Sequence, residues 1–322
     1  HILQDKSDPV VRFRILRDLL KESSDSDSLI RAQQNMLRSR WVLKLKQGQG
    51  EDGGWCRFHS AVKVKGSIKT TEAAVERGLA LGLQATDPIF QATVGYLSRL
   101  LEGKIAFPDP PERNNRWATG KQLFVAATLA RLCPTLSVLD RTWGLWADIA
   151  TRTFASGRYD PDAEICAHRL LTGASVKDSY LVLSGRYQLA LLGSRATKLP
   201  KEFENALVDW VWHKKDGIGY LEVPLYSPPH CFTPGMVDRW FTSLDLISCF
   251  PSWRKFAKNT VDWLWTRRNE DGFWDFGPRA SMSVYFPLSE NWRSKEKRQH
   301  DWSIRVLALL RNYFDHSGES VS

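Results

Sequence analysis

Val261-Asp-Trp-Leu-Trp-Thr-Arg-Arg-Asn-Glu-Asp-Gly-Phe-Trp274 has a near copy upstream, Val208-Asp-Trp-Val-Trp-His-Lys-Lys-Asp-Gly-Ile-Gly-Tyr220. A looser copy lies near the start, Trp41-Val-Leu-Lys-Leu-Lys-Gln-Gly-Gln-Gly-Glu-Asp-Gly-Gly-Trp55. Each reads as the last turns of an aromatic helix, then basic or amide residues, then Asp-Gly, then an aromatic. Asp-Gly supplies the left-handed turn that stops a helix, and the aromatic after it can fold back and staple the helix end. A unit that recurs in this way sets the architecture, because each copy buries its apolar face against its neighbours.

Working outward from these units, helical periodicity and breakers predict helices over about 8–20, 29–47, 67–84, 88–102, 117–132, 138–154, 179–192, 201–213, 236–250, 252–268 and 301–314, with a short helical piece within 156–177. Asp8-Pro9 and Asp87-Pro88 are helix starts with Pro at the first helical position, and Pro134 is a stop. No alternating strand pattern appears beyond short pieces such as Val62-Lys-Val64 and Tyr220-Leu-Glu-Val223. The fold class is therefore all-α.

The helices fall into two alternating classes. One class opens on polar-plus-aromatic starts at Trp117, Tyr180, Trp240 and Trp302, spaced 63, 60 and 62 residues apart, and continues in Leu and Ala on all sides, as a helix covered all round should. The other is amphipathic and ends in the Asp-Gly unit. This is how the inner and outer helices of an α/α toroid differ. The expected architecture is a single toroid over residues 1–316, with six inner helices starting near 8, 67, 116, 179, 236 and 301, five or six outer ones, long loops on one face, and a flexible tail at 317–322. The inner helices then point their N-terminal ends, with spare N–H groups and partial positive charge, at the long-loop face. That mouth is where a site is expected.

Composition bounds the function. The chain has 322 residues, 43% of them hydrophobic, enough for a large core, and a net charge of +9. Such a charge suits anionic partners. The chain carries no zinc-finger spacing, no RNA-binding sheet motif and no long Lys/Arg run, so no nucleic-acid partner is expected. No apolar run approaches the length of a membrane span, which leaves at most peripheral membrane contact. Five Cys, an odd number in a long chain, favour reduced thiols and a cytoplasmic setting. The first residue is His1 rather than Met, which is compatible with a removed targeting segment. Oligomeric state is not legible.

Gln47-Gly-Gln-Gly-Glu-Asp-Gly-Gly-Trp55, with Asn269-Glu-Asp-Gly-Phe-Trp274 as a second match and Asp216-Gly-Ile-Gly-Tyr220 as a degraded third, resembles the Gln…Gly…Trp repeat of squalene and oxidosqualene cyclases. The resemblance extends to the α/α toroid of terpenoid cyclases and protein prenyltransferases and covers most of the chain. At about half the length of a two-toroid cyclase, this chain would be a single-toroid member. The resemblance implies an isoprenoid or other apolar substrate and carbocation chemistry. The chain lacks the Asp-x-Asp-Asp acid motif and any Asp-Asp pair; the nearest sequence is Asp160-Pro-Asp162-Ala-Glu164. The zinc ligands of prenyltransferases have no counterpart that can be placed.

Asp160, Asp162 and Glu164 are three acids within five residues. Like charges in close quarters raise one pKa, which suits a proton donor to an alkene or epoxide. The same residues also read as an N-cap and first turn. Trp117, Tyr180, Trp240 and Trp302 read either as an aromatic funnel able to stabilise a cation or as core. Asp238 and Asp301 precede inner-helix aromatics, as substrate contacts or as N-caps. Arg12, Arg14, Arg239 and Arg305 suit an anionic group such as a diphosphate. Three Cys/His pairs, Cys56 with His59, Cys166 with His168, and His230 with Cys231, fall in long loops. If they converge they bind zinc or form a nucleophile and base; otherwise they are separate small residues. No cofactor is favoured, and zinc is the alternative.

The expected function is a terpenoid cyclase or isomerase working by acid-initiated carbocation chemistry, with Asp160 or Asp162 as the acid. Two alternatives stand beside it. One is a carbohydrate-active lyase or hydrolase, since α/α toroids house these too. The other is a non-catalytic toroid holding a lipid or a partner.

Overall fold

The computed structural model describes residues 7–60, 68–174, 180–229, 234–277 and 287–315. Among them the chain is all-helical, with isolated bridges such as Gly185 to Gly219 in place of strands. The helices are α1 (Pro9–Arg14, continued by a π-helical turn, Ile15–Leu19), α2 (Asp27–Leu37), α3 (Arg40–Gly48), α4 (Thr71–Leu81), α5 (Pro88–Leu101), α6 (Trp117–Leu132), α7 (Asp140–Thr153), α8 (Pro161–Thr172), α9 (Arg186–Gly193), α10 (Lys201–His213), α11 (Pro234–Ile247), α12 (Lys258–Thr266) and α13 (Lys295–Phe314). Among the described residues, no helix is long and apolar enough to cross a membrane.

Local chemistry fixes most of the boundaries. Ser26 and Thr70 cap α2 and α4 by accepting from Leu29 N and Ala73 N, and Gly82, left-handed at φ 97, ends α4. Three expectations need correction. The helix read over 29–47 is two helices, because Ser39 is extended at ψ 150 and restarts the chain at Arg40. The helix read from 179 starts only at Arg186, after a turn that Gln188 fastens by donating to Tyr180 O. The last helix starts at Lys295 rather than near 301, because Ser294 caps it. For the same reason Asp301 is not an N-cap, and Asp238 lies inside α11 rather than before it.

Two of the repeated units staple helices as expected. Trp55 Nε1 donates to Leu45 O at 3.0 Å and Trp274 Nε1 to Leu264 O at 2.7 Å. Both acceptors belong to the last four residues of their helices, where carbonyls lack the i+4 amide of the helix interior, and Leu264 O takes the Arg267 amide as well. The staple therefore adds a donor to a helix-end carbonyl while burying a whole indole. Each Trp amide also reaches across to another helix, Trp55 N to Thr71 Oγ1 on α4 and Trp274 N to Ser303 Oγ on α13.

The helices rich in Leu and Ala touch one another in sequence. Arg14 on α1 donates to Ala80 O on α4. Arg131 on α6 pairs with Glu76 on α4. Helix α6 packs along α9, and α9 on α11. Arg305 on α13 pairs with Asp238 on α11, and α13 packs on α1. A cavity of about 650 Å³ is lined from all six of these helices. The other helices lie against them, α3 on α4 and α5 on α6, with α2 on α1.

Candidate functional site

Two polar centres meet in the molecule. The first is built where the segment after Trp55 crosses the start of α4. Asp109, buried in the Pro-rich segment before α6, accepts from three successive amides, Phe58 N at 2.6 Å, His59 N at 2.9 Å and Ser60 N at 2.7 Å. That clasp fixes the backbone that carries His59. The imidazole then meets Glu72, in the first turn of α4, with Nδ1 2.8 Å from Oε2. Tyr187, in the first turn of α9, donates its hydroxyl to Glu72 Oε1 at 2.7 Å and lies 3.1 Å from His59 Nδ1.

Aromatic rings wall this group. The His59 ring stacks on Phe124 at 4.7 Å between centroids, and Tyr187 and Tyr220 meet it edge-on. Tyr180 leans on Phe124 and donates to Glu112 at 3.3 Å. Phe107 links Phe58 to Trp117. Tyr220 is 46% exposed, so one side of the cluster is a shelf open to solvent.

The electrostatics follow from burial opposed by pairing. Burial alone would drive His59 toward neutrality, but the hydrogen bond and charge of Glu72, with Asp109 behind, overcome it and raise its pKa above the ordinary value. Burial pushes Glu72 up, yet His59, Arg186 and Tyr187 together hold it below the usual carboxylate range. Burial, with the Glu72 charge, lifts Tyr187 well above an ordinary phenol. Glu72 is thus a carboxylate and can only accept, so His59 Nδ1 carries the proton between them. Proton exchange with a bound molecule falls to Nε2. This is a base oriented by a carboxylate, the arrangement that activates histidine in acid–base catalysis.

The second centre is the six-helix cavity. It is lined by Arg14, Arg131, Arg186 and Arg305, with Glu76 and Asp245 the carboxylates among them. Arg186 joins the two centres. Its Nη2 lies 3.8 Å from Glu72 Oε1 and 3.1 Å from Glu76 Oε1, and Arg131 holds Glu76 from the other side. A chain of ion pairs therefore runs from His59 to the cavity wall.

The sequence-derived candidates are distributed differently. Asp160 caps α8, accepting from Asp162 N at 2.9 Å and Ala163 N at 3.0 Å, while Asp162 is exposed. Glu164 is buried, accepts from Tyr159 Oη and Leu183 N, and burial raises its pKa. None of the three lines the cavity. The four aromatics do not form one funnel. Trp117 and Tyr180 border the His59 cluster, whereas Trp240 and Trp302 are fully buried around Phe241 and Phe276. Asp238 is the partner of Arg305. Asp301 accepts from Leu288 N and from the Ser289 amide and hydroxyl, with burial pushing its pKa to about 6.

Of the Cys/His pairs, Cys56 and Cys166 are exposed. His168 is fully buried edge-on to Trp146, where burial lowers its pKa to about 4. His230 and Cys231 lie outside the described residues. Among the described residues, no group of three His, Cys, Asp or Glu side chains converges as a metal site.

Sequence reasoning picked out His59 only as half of a Cys/His pair, and it missed Glu72, Asp109 and Tyr187. His59 and Tyr187 are 128 residues apart, and no local spacing signals such a meeting. The one usable hint was a lone Glu in the apolar first turn of an Ala-rich helix. No family model matches this chain, and neither a curated protein nor a solved structure matches it.

Proposed function

We propose that this chain is a single α/α toroid and a carbohydrate-directed lyase whose acid–base centre is His59. The observation that carries the reading is a Glu72-oriented imidazole on an open aromatic shelf. The toroid is supported by the unbroken succession of contacts α1–α4–α6–α9–α11–α13–α1 around one cavity. Exposed aromatic rings beside an acid–base group suit a sugar, whose C–H faces stack on them. The chemistry is β-elimination next to a carboxylate, as in a uronate. His59 Nε2 takes the proton from the carbon alpha to the carboxylate, and the released pair forms the new C=C bond. The C–O bond to the leaving sugar breaks, and its oxygen takes a proton from the Tyr220 hydroxyl, which exchange with water restores.

Hydrolysis is less well supported. It calls for a carboxylic acid poised to donate beside a second carboxylate, whereas pairing holds Glu72 ionised. The isoprenoid reading draws support from the two stapling Trp units and from the buried Trp240/Trp302 cluster. An imidazolium is a weak acid for an alkene, however, and a cavity carrying six charged side chains is a costly host for an apolar chain.

The test is turnover of a panel of polyuronates, read by the ultraviolet absorbance of the conjugated double bond. His59→Ala should lower kcat/KM by about a hundredfold or more. Equal rates in the variant, or no elimination from any uronate, would sink the reading.

A further inference from the structure

We propose that the uncovered face of α2 and α3 binds an acidic polysaccharide, at a surface that shares no residue with the His59 cluster. Between Asp27 and Glu51 lie five cations, Arg31, Arg38, Arg40, Lys44 and Lys46, and no acid. The net charge of the whole chain is +9, so this one stretch carries more than half of the excess. A field so concentrated draws polyanions.

These cations are not taken up by carboxylates. Elsewhere even well-exposed lysines find one: Lys21 pairs with Asp315, Lys104 with Glu102 and Lys258 with Asp262. Among the described residues, no carboxylate lies within ion-pair distance of the five. Arg31 donates to a backbone carbonyl, Asp27 O, at 3.1 Å. Glu290 reaches this face, but its Oε1 accepts from the Arg40 amide at 2.9 Å. Crowding adds to the imbalance. Arg40 and Lys44 are one turn apart, a like-charge pair that opposes a helix. Both nevertheless stand over the Trp41 ring, 5.2 and 5.3 Å from its centroid, with Arg77 at 5.0 Å. Cation–π attraction gathers them, and a bound anion relieves their mutual repulsion.

The neighbours of the cations set the class of polyanion. Helix α2 packs on α1 and α3 on α4. The first leaves Arg31, Gln34, Asn35 and Arg38 uncovered, and the second Arg40, Leu43, Lys46 and Gln47. Cations interleaved with amides suit a polymer of carboxylates and hydroxyls, since guanidinium and ammonium pair with the first and amides bond the second. A bilayer is a poorer match: Ile30 and Leu43, 39% and 44% exposed, stand on different helices and give little to insert. So is a nucleic acid, because Trp41, the one aromatic of the stretch, is half-buried beneath its cations and offers no stacking face. The choice of a uronate polymer as the probe rests on the His59 reading.

The experiment is binding of the whole chain carrying His59→Ala, so that no turnover intrudes, to immobilised polygalacturonate. Dextran serves as the neutral polymer, and phosphatidylserine vesicles and duplex DNA as other polyanions. Saturable binding to polygalacturonate that fades as salt rises is expected, with none to dextran. Replacing Arg38, Arg40 and Lys46 together by Gln should weaken it about tenfold. Replacing Arg141, Arg152 and Lys201 together by Gln removes the same charge from α7 and α10 and should leave affinity within about twofold. All six side chains are exposed, so neither triple variant opens the core. Any of five results overturns the proposal: no saturable binding of polygalacturonate, equal binding of dextran, tighter binding of vesicles or DNA at the same salt, unchanged affinity in the first triple variant, or an equal loss in the second. Binding is read here without catalysis, so a chain that binds through α2 and α3 yet eliminates nothing from any uronate overturns the His59 reading alone.

Discussion

The first and third aromatic units hold helices shut, while the second does something else. In the first, seven positions separate the anchoring Leu45 from Asp52, and in the third seven separate Leu264 from Asp271. In the second only five positions separate Val211 from Asp216. The shorter turn cannot bring an indole back under the helix end, and the unit has none to bring. Its aromatic, Tyr220, stands outward against the rings of His59 and Tyr187. The backbone shows the same departure. Tyr220 and Glu222 sit at φ 70 and 53, left-handed conformations that a side chain rarely adopts. Strain of this kind gathers where a structure presents a group rather than buries it. A degenerate staple and a presented aromatic are thus two outcomes of one repeated sequence.

The comparison breaks most visibly at the staples. Trp55→Ala and Trp274→Ala each empty a fully buried slot and remove the indole donor to a carbonyl at a helix end. Each should cost about 3–5 kcal/mol, read as a fall in the midpoint of urea unfolding at unchanged slope. Tyr220→Gly should behave oppositely. It loses ring contacts but relieves the left-handed strain at φ 70, so stability should stay within about 1 kcal/mol, while uronate turnover falls at least about tenfold. A large loss of stability in Tyr220→Gly, or a small one in the two Trp variants, would erase the distinction between the units.

The presented site also has a pH signature. His59 has a pKa above the ordinary 6.5 because Glu72 outweighs burial. Protonated His59 therefore stabilises the folded chain below that value, and the contribution fades as pH rises through the raised pKa. For elimination the imidazole must be neutral, so kcat/KM should rise with pH through the same raised midpoint. Glu72→Gln removes the raising partner and leaves the burial. The His59 midpoint, followed by NMR of its ring protons, should then drop below 6.5. A midpoint that does not move would mean that Glu72 does not orient the imidazole.

The staples were legible because their chemistry is local: Asp-Gly and an aromatic within a few residues of a helix end. So was α6, whose run from Trp117 to Leu132 is apolar on almost every side and buried on almost every side. The start of α13 was not, since Lys295-Glu-Lys-Arg-Gln-His300 has no apolar period and only the Ser294 cap announces it. The site was least legible. Asp109, Glu72 and Tyr187 come from three segments, and their types are common in solvent-facing roles. Only the meeting of α4 and α9 turns them into partners of His59.

The smallest effect concerns an acid that the sequence did make conspicuous. Asp160 invites a catalytic role because Asp162 and Glu164 follow it, yet its carboxylate is occupied by the amides of Asp162 and Ala163 at the start of α8. Capping and acid catalysis make different demands on that group, since a cap needs an oxygen that accepts from the amides whereas a proton donor must carry a proton to give away. Asp160→Ala should therefore cost about 1 kcal/mol of stability and leave kcat/KM for the uronate within about twofold of wild type. Asp160→Ser, which keeps a capping oxygen but no charge, should recover most of that stability. A collapse of turnover in both variants, with stability restored only in the serine, would return the chemistry to the acids of α8 and leave Tyr220 and His59 as a shelf without a reaction.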